Sequence, residues 1–140
     1  MLDTHIWLWW LLAHPRLRAS PLQRMIQDAE KEHRLRLSSI SIWEAILLRE
    51  AGRIEMKGSV QQWLSEARQK FPVHVIPIDE RIAVESRFLP GSFHQDPADR
   101  FIVATARIHD LCLATHDRRI LEYSVPGHVK AVGVDAAILS

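Results

Sequence analysis

Four acidic residues stand where predicted strands end and predicted helices begin. Asp3 ends a very short predicted strand, and Asp117 follows the predicted strand 111–115 and opens a helix. Glu44 and Asp99 each take the third position of a predicted helix. In an open parallel sheet, helices that follow strands begin at the carboxyl edge, where ligands bind. The four carboxylates can therefore converge at that edge.

Converging carboxylates are a candidate site for a hard divalent cation. Oxygen ligands suit Mg²⁺ or Mn²⁺ better than Zn²⁺, and the single cysteine, Cys112, offers no thiolate pair. Acids at helix N-termini also stabilise the helix, because they accept from free N–H groups and complement its dipole. That role fully explains Asp96, which precedes Pro97 at the start of a predicted helix. Spacing alone leaves metal binding and capping both open.

Short strands alternate with longer helices along the whole chain. Strands are predicted at residues 1–3, 36–38, 73–76, 111–115 and 129–132. Helices are predicted at residues 4–12, 20–32, 41–52, 59–70, 79–88, 96–109 and from 117 onward. Ser41 and Glu44 fit the S-x-x-E capping box of the third helix. The alternation predicts an α/β fold in which helices cover both faces of a parallel sheet.

Composition describes an ordinary globular chain. The 140 residues, 47% hydrophobic and 25% charged with a net charge of +1, fit one domain over residues 1–140. The longest apolar run, 6–13, is too short to span a bilayer, and no basic segment of a signal peptide precedes it. The lone cysteine favours a reducing compartment, so we expect a cytoplasmic protein without a membrane partner.

Four sequence blocks carry a resemblance to a known family. They are Leu2–Trp9 (LDTHIWLW), Ser38–Glu44 (SSISIWE), Asp96–Ala106 (DPADRFIVATA) and Leu113–Ile120 (LATHDRRI). In their order and spacing they resemble the signature blocks of PIN-domain proteins, in particular the VapC-type toxin branch. The resemblance implies a single-domain PIN-like α/β/α sandwich with a central parallel sheet.

The resemblance also implies an activity and partners. It implies an endoribonuclease dependent on Mg²⁺ or Mn²⁺ that cleaves single-stranded or looped regions of structured RNA. It further implies a homodimer and neutralisation by a cognate VapB-type antitoxin. The family's catalytic and metal-binding acids fall on Asp3, Glu44, Asp99 and Asp117.

Further residues take supporting roles by the same resemblance. Thr4 and Thr115 match polar positions beside the first and last acids, and Asp96 matches a supporting acid. Candidate contacts to RNA phosphates are Arg100, Arg118 and Arg119, although solvated surface charges or partners of nearby acids explain these arginines equally well. Only two residues precede Asp3, fewer than in most relatives, so we expect a start codon further upstream or a weak strand at the sheet edge.

Other functions remain alternatives at this point. The same acids would serve a metal-dependent nuclease acting on DNA, or a phosphatase, since metal chemistry at a phosphate ester does not select the nucleic acid. A non-catalytic PIN-like binding module is the alternative from another class. The tryptophans at positions 7, 9 and 10 are expected to be buried in the core, with a dimer or antitoxin surface as the second interpretation. Most of the eight histidines are expected at the surface or hydrogen-bonded in the core.

Overall fold

A computed structural model describes residues 1–135. The helices are α1 (Thr4–Leu11), α2 (Pro21–Lys31), α3 (Ser39–Glu50), α4 (Val60–Lys70), α5 (Glu80–Arg87), α6 (Pro97–Ile108) and α7 (Arg118–Ser124). The strands are β1 (Arg36–Ser38), β2 (His74–Ile76), β3 (Cys112–Ala114) and β4 (Lys130–Val132). None of the helices in this part of the chain is long and apolar enough to cross a bilayer. The predicted single domain extends to residue 140, and its last residues, 136–140, lie outside the described part.

The strands form a parallel sheet, as predicted. β1 pairs with β2, and β3 pairs with β4. Leu2 joins the two pairs through parallel bridges to Leu37 in β1 and Ala114 in β3. The order across the sheet is therefore β2, β1, Leu2, β3, β4, which places the N-terminal segment at the centre.

The prediction of a weak strand at the sheet edge is wrong. The backbone N–H of Leu2 donates to the Arg36 carbonyl at 2.9 Å, and the Ala114 N–H donates to the Met1 carbonyl at 2.8 Å. Asp3 then donates its own N–H to the Ala114 carbonyl at 2.9 Å. A segment bonded on both sides needs little length, because it forms hydrogen bonds to both neighbouring strands.

Two clusters of buried side chains hold the helices against the sheet. One includes Leu2, Trp7 and Leu37, and the other is centred on Ile102 and Leu113. The first cluster contains Trp7 and Trp10 and confirms that the tryptophan-rich helix is mainly a core element, while Trp9 is half-buried.

Most predicted helix starts are confirmed by their N-caps. The capping residues with a side chain that accepts from the first turn are Ser20, Ser59, Asp79, Asp96 and Asp117. These caps are local interactions between residues two or three positions apart, which makes them readable from sequence.

The capping box predicted for Ser41 and Glu44 is wrong. Ser38, the last residue of β1, caps α3 by accepting from the N–H of Ile40 at 3.2 Å. The helix therefore begins three residues earlier, directly at the end of the strand, and Glu44 lies in its second turn. Gly52 follows α3 with a φ of +73°, a conformation that glycine adopts without strain.

Candidate active site

Asp3 enters the site from the centre of the sheet. It caps α1, and its Oδ1 accepts from the N–H of Thr4 at 2.8 Å. Its Oδ2 accepts from the hydroxyl of Thr115 at 2.6 Å, and the same hydroxyl oxygen accepts from the N–H of Asp117 at 3.0 Å. Asp3 is only 5% exposed, and this burial raises its pKa, with hydrogen bonds opposing the shift. Thr115 therefore connects the first and last predicted acids.

Glu44 faces Asp3 across the start of α1. The hydroxyl oxygen of Thr4 lies 2.5 Å from Glu44 Oε1 and 2.8 Å from Ser41 Oγ. A hydroxyl has one proton to give and an ionised carboxylate can only accept. Thr4 therefore donates to Glu44, and Ser41 donates to Thr4. Burial raises the pKa of Glu44, and the negative charges of Asp3 and Asp96 raise it further.

Asp99 lies in the first turn of α6, at the third helical position, as predicted. Asp96 caps this helix, and its Oδ1 accepts from the N–H groups of Ala98 at 3.0 Å and Asp99 at 3.3 Å. Burial raises the pKa of Asp99 to about 7. The negative charges that contribute to this shift are those of Asp3, Asp96, Asp117 and Glu44. Asp99 therefore lies within electrostatic reach of the other predicted acids.

Asp117 differs from the other acids because an arginine neutralises it. Burial alone would raise the pKa of Asp117, but hydrogen bonds from Arg119 outweigh it, and the pKa falls below its usual value. Arg119 Nη2 lies 3.1 Å from Asp117 Oδ2 and 3.6 Å from Asp99 Oδ2. Arg119 is therefore a positive charge between two acids.

His94 is a site residue that the sequence analysis missed. The Nε2 atom of His94 lies 3.0 Å from Asp99 Oδ2. The ring N–H is not aimed at that oxygen, so the buried Nε2 makes no hydrogen bond among residues 1–135. Its Nδ1 accepts from the N–H of Asp96 at 3.3 Å. Burial, and then the charge of Arg119, lower the pKa of His94 and favour a neutral ring. Its position two residues before Asp96 was the available signal in the sequence.

The residues at this edge fit a divalent cation. His94, Asp99 and Asp117 offer ligand atoms that all lie within 4.8 Å of one another. The raised pKa values of Asp3, Glu44 and Asp99 arise from buried carboxylates with too little positive charge around them. A bound cation would relieve this repulsion, and an oxygen-rich donor set suits Mg²⁺ or Mn²⁺.

The three arginines proposed to contact phosphate have different environments. Arg100 is 6% exposed, and it donates to the carbonyl of Ser86 in α5 and to the carbonyls of Phe93 and His94 in the segment before α6. Its predicted contact with RNA phosphate is wrong, because the guanidinium is buried and already bonded. Arg118 and Arg119 are exposed at the start of α7.

The acidic edge and the parallel α/β sheet define the class of this protein. The chain belongs to the PIN-domain family, which matches residues 1–126. It is 34% identical over 126 residues to Ribonuclease VapC22 of Mycobacterium tuberculosis (strain ATCC 25618 / H37Rv), covering 90% of this chain and 92% of that protein. The predicted family is thereby confirmed.

Solved structures share the fold. A DNA-bound VapBC structure from Salmonella typhimurium superposes with a TM-score of 0.66 and 19% identity, covering 95% of this chain and 96% of that chain. VapBC2 from Rickettsia felis, bound to a promoter DNA fragment, gives a TM-score of 0.66, 16% identity and the same coverage of both chains. These similarities confirm the predicted PIN-like architecture with its parallel sheet.

Proposed function

We propose that this protein is a toxin endoribonuclease that hydrolyses phosphodiester bonds in single-stranded or looped regions of structured RNA with Mg²⁺ or Mn²⁺. The observation that carries the proposal is the cluster of His94, Asp99 and Asp117, whose ligand atoms lie within 4.8 Å of one another, with Asp3 joined to Asp117 through Thr115. The similarity to a protein named ribonuclease supports RNA as the substrate. One PIN domain over residues 1–140 carries the activity.

The acids and their hydroxyl partners have separate roles in this proposal. Asp3, Glu44, Asp99 and Asp117 would hold the cation. A bound Mg²⁺ or Mn²⁺ would activate water near neutral pH and would neutralise negative charge on the phosphate. Thr4 and Thr115 orient the carboxylates of Glu44 and Asp3 through the hydrogen bonds at 2.5 and 2.6 Å. Asp96 fixes the first turn of α6 and thereby positions Asp99.

Arg118 and Arg119 remain the candidate contacts to RNA phosphates. Both lie at the start of α7 beside Asp117, and both are exposed. An arginine guanidinium pairs with phosphate oxygens through two parallel hydrogen bonds. Arg119 therefore exchanges its carboxylate partners for a phosphate as the substrate approaches.

A VapB-type antitoxin is the proposed partner. We expect it to present a basic residue to the acids, because Asp3 and Glu44 have no cationic side chain within 4.0 Å among residues 1–135. Large exposed apolar side chains on α3 and directly after α5, among them Trp43, Leu47 and Phe88, are the candidate contacts of a homodimer. We propose the cytoplasm as the compartment, where RNA is available and the exposed free Cys112 stays reduced.

The test is a cleavage assay with labelled structured RNA and with DNA of the same sequence, in Mg²⁺, in Mn²⁺ and in chelator. Wild type should cleave the RNA only with metal. Asp99→Asn and Asp3→Asn should lose about 10³-fold or more in rate, because an amide is a poor ligand for a hard cation. Asp79→Asn is the matched control, since Asp79 caps α5 outside the site.

Each result distinguishes one function from the others. Cleavage of DNA in preference to RNA would identify the alternative nuclease. Metal-dependent binding of RNA without cleavage would identify a non-catalytic binding module. Full activity of Asp99→Asn would remove the proposed mechanism.

A further inference from the structure

Near the acids lies a group of aromatic and basic side chains. They come from α1, from the segment that follows α1, and from the segment between β3 and α7. Trp9 stacks on His14 with ring centroids 4.6 Å apart and planes 13° apart. His116 packs against Trp9 at 5.0 Å, and the guanidinium carbon of Arg16 lies 5.4 Å from the centre of the Trp9 ring. We call these four residues the Trp9 patch.

His116 links the Trp9 patch to the acids. His116 lies in sequence between Thr115, which binds Asp3, and Asp117. Arg16 is exposed, and Trp9, His14 and His116 are each partly exposed. The patch is therefore open to solvent at the edge of the sheet where the acids converge.

The basic groups of the patch have no acidic partner. Arg16, His14 and His116 make no ion pair with a carboxylate among residues 1–135. The backbone N–H of Arg16 donates to His14 Nδ1 at 3.1 Å, which ties these two residues together. Arg119 on α7, in contrast, contacts Asp117 and Asp99.

A polyanion that reaches an acidic centre needs cations next to that centre. Single-stranded nucleic acid is commonly held by basic groups that contact the phosphates and by aromatic rings on which bases stack. In the Trp9 patch, one arginine and two imidazoles each contact the same indole ring, that of Trp9. Its chemistry therefore matches a single strand of RNA rather than an apolar protein surface.

We propose that the Trp9 patch binds the single-stranded RNA segment next to the cleaved phosphodiester. Arg16 contacts a phosphate, and a base extends the stack formed by Trp9 and His14. This inference rests on the proposed ribonuclease function, and it assigns the substrate strand to the α1 side of the acids.

The experiment measures binding separately from cleavage. A fluorescently labelled single-stranded 12-nucleotide RNA is titrated with wild type, Arg16→Ala and Arg68→Ala in chelator, at several salt concentrations. Arg68 is the matched control, because it is exposed on α4 and belongs to neither the site nor the patch. Arg16→Ala loses one phosphate contact and should therefore bind the RNA more weakly. The slope of the logarithm of its association constant against the logarithm of the salt concentration should be smaller in magnitude by about 0.7. Arg68→Ala should bind like wild type.

The variant Arg16→Lys and thermal melts complete the design. Arg16→Lys should recover part of the affinity, and all variants should keep the wild-type Tm because both arginines are exposed. Equal binding by Arg16→Ala and Arg68→Ala would overturn the inference. If wild type cleaves RNA and the two variants still bind alike, the ribonuclease function stands without this patch. If wild type neither binds nor cleaves RNA, the proposed function itself fails.

Discussion

The two halves of the acidic site are stabilised in different ways. Asp3 and Glu44, the inner acids, are held by the hydroxyls of Thr4 and Thr115 and have no cationic side chain in contact among the described residues. Asp99 and Asp117, the outer acids, contact His94 and Arg119 instead. The inner acids are therefore oriented by buried hydroxyls, whereas the outer acids have an exposed counter-charge.

This difference separates two requirements of a metal-dependent nuclease. Oriented ligands reduce the reorganisation needed when a cation binds. An exposed arginine reduces repulsion between the outer acids in the metal-free protein, and in the proposed function it then pairs with a phosphate. The predictions below test whether the inner acids are rigid and the outer acids adjustable.

The largest expected effect on stability is the pH dependence of the metal-free protein. The pKa of Asp99 is about 7 in the folded protein, against about 3.9 in an unfolded chain. Between pH 4 and 7 the folded state then binds more protons than the unfolded state, so stability falls as the pH rises. Asp99→Asn lacks this titration and should be more stable than wild type at pH 8, by at most about 4 kcal/mol.

Thermal or urea unfolding in chelator from pH 4 to pH 8 measures this difference. The curves of wild type and Asp99→Asn should approach each other toward pH 4 and meet only below it, where the carboxyl becomes protonated in both states. Asp79→Asn is the control, since Asp79 caps α5 outside the site. A constant gap between Asp99→Asn and wild type at every pH would show that Asp99 is only a helix residue.

Metal should make wild type more stable than Asp99→Asn, which is the reverse of their order in chelator. Wild type gains RT ln(1 + [L]/Kd), which is about 2.7 kcal/mol at a hundredfold excess of Mg²⁺ or Mn²⁺ over Kd. Asp99→Asn should gain much less, because it loses a charged ligand. Melting curves with and without metal test this, and Asp79→Asn should respond like wild type. Equal responses of all three proteins would leave the acids without a metal function.

The third prediction concerns the rigidity of the inner acids. Thr115→Val removes the hydroxyl that donates to Asp3 and accepts from the Asp117 N–H. Leaving these buried groups unpaired should cost roughly 1–3 kcal/mol at pH 7 and weaken metal binding. The matched control is Thr105→Val, since Thr105 is equally buried but its hydroxyl bonds only the Phe101 carbonyl within α6.

Unfolding in urea and titration calorimetry with Mn²⁺ compare the two variants. Thr105→Val should be the more stable of the two and should bind metal like wild type. If both substitutions leave Mn²⁺ affinity unchanged, Thr115 does not orient a metal ligand and the inner acids are not preorganised by it.

Local sequence signals were sufficient for part of the site. Asp96 and Asp117 occur where predicted as helix caps, and Asp99 occurs at the third helical position, because these interactions join residues two or three positions apart. Glu44 lies beside Thr4, but it does so from the second turn of α3 and not from the predicted third helical position. Ser38 and Ser41 are both acceptable caps, and the end of β1 decides between them. That choice depends on strand pairing, which the local pattern does not contain.

Tertiary contacts explain what the sequence analysis missed. Arg100 bonds carbonyls of residues up to 14 positions away, so its burial could not be read from its own helix. His94 contacts Asp99 because the segment before α6 folds back over the first turn. The parallel sheet itself was predictable from alternation, while the central position of Leu2 depends on pairing with strands distant in sequence.

The smallest expected effect concerns Arg119, and it tests whether the outer acids are adjustable. Because the Arg119 side chain is 58% exposed, Arg119→Ala should change the Tm little. Removing its charge takes away a competitor for Asp99 and Asp117, so metal should bind more tightly, by roughly two- to fivefold as for an exposed ionic contact.

Arg118→Ala is the matched control from the neighbouring exposed position and should leave metal affinity unchanged. Calorimetric titration of the three proteins with Mn²⁺ decides the point. Weaker metal binding by Arg119→Ala would mean that the arginine holds the outer acids in place, and that they are as fixed as the inner acids.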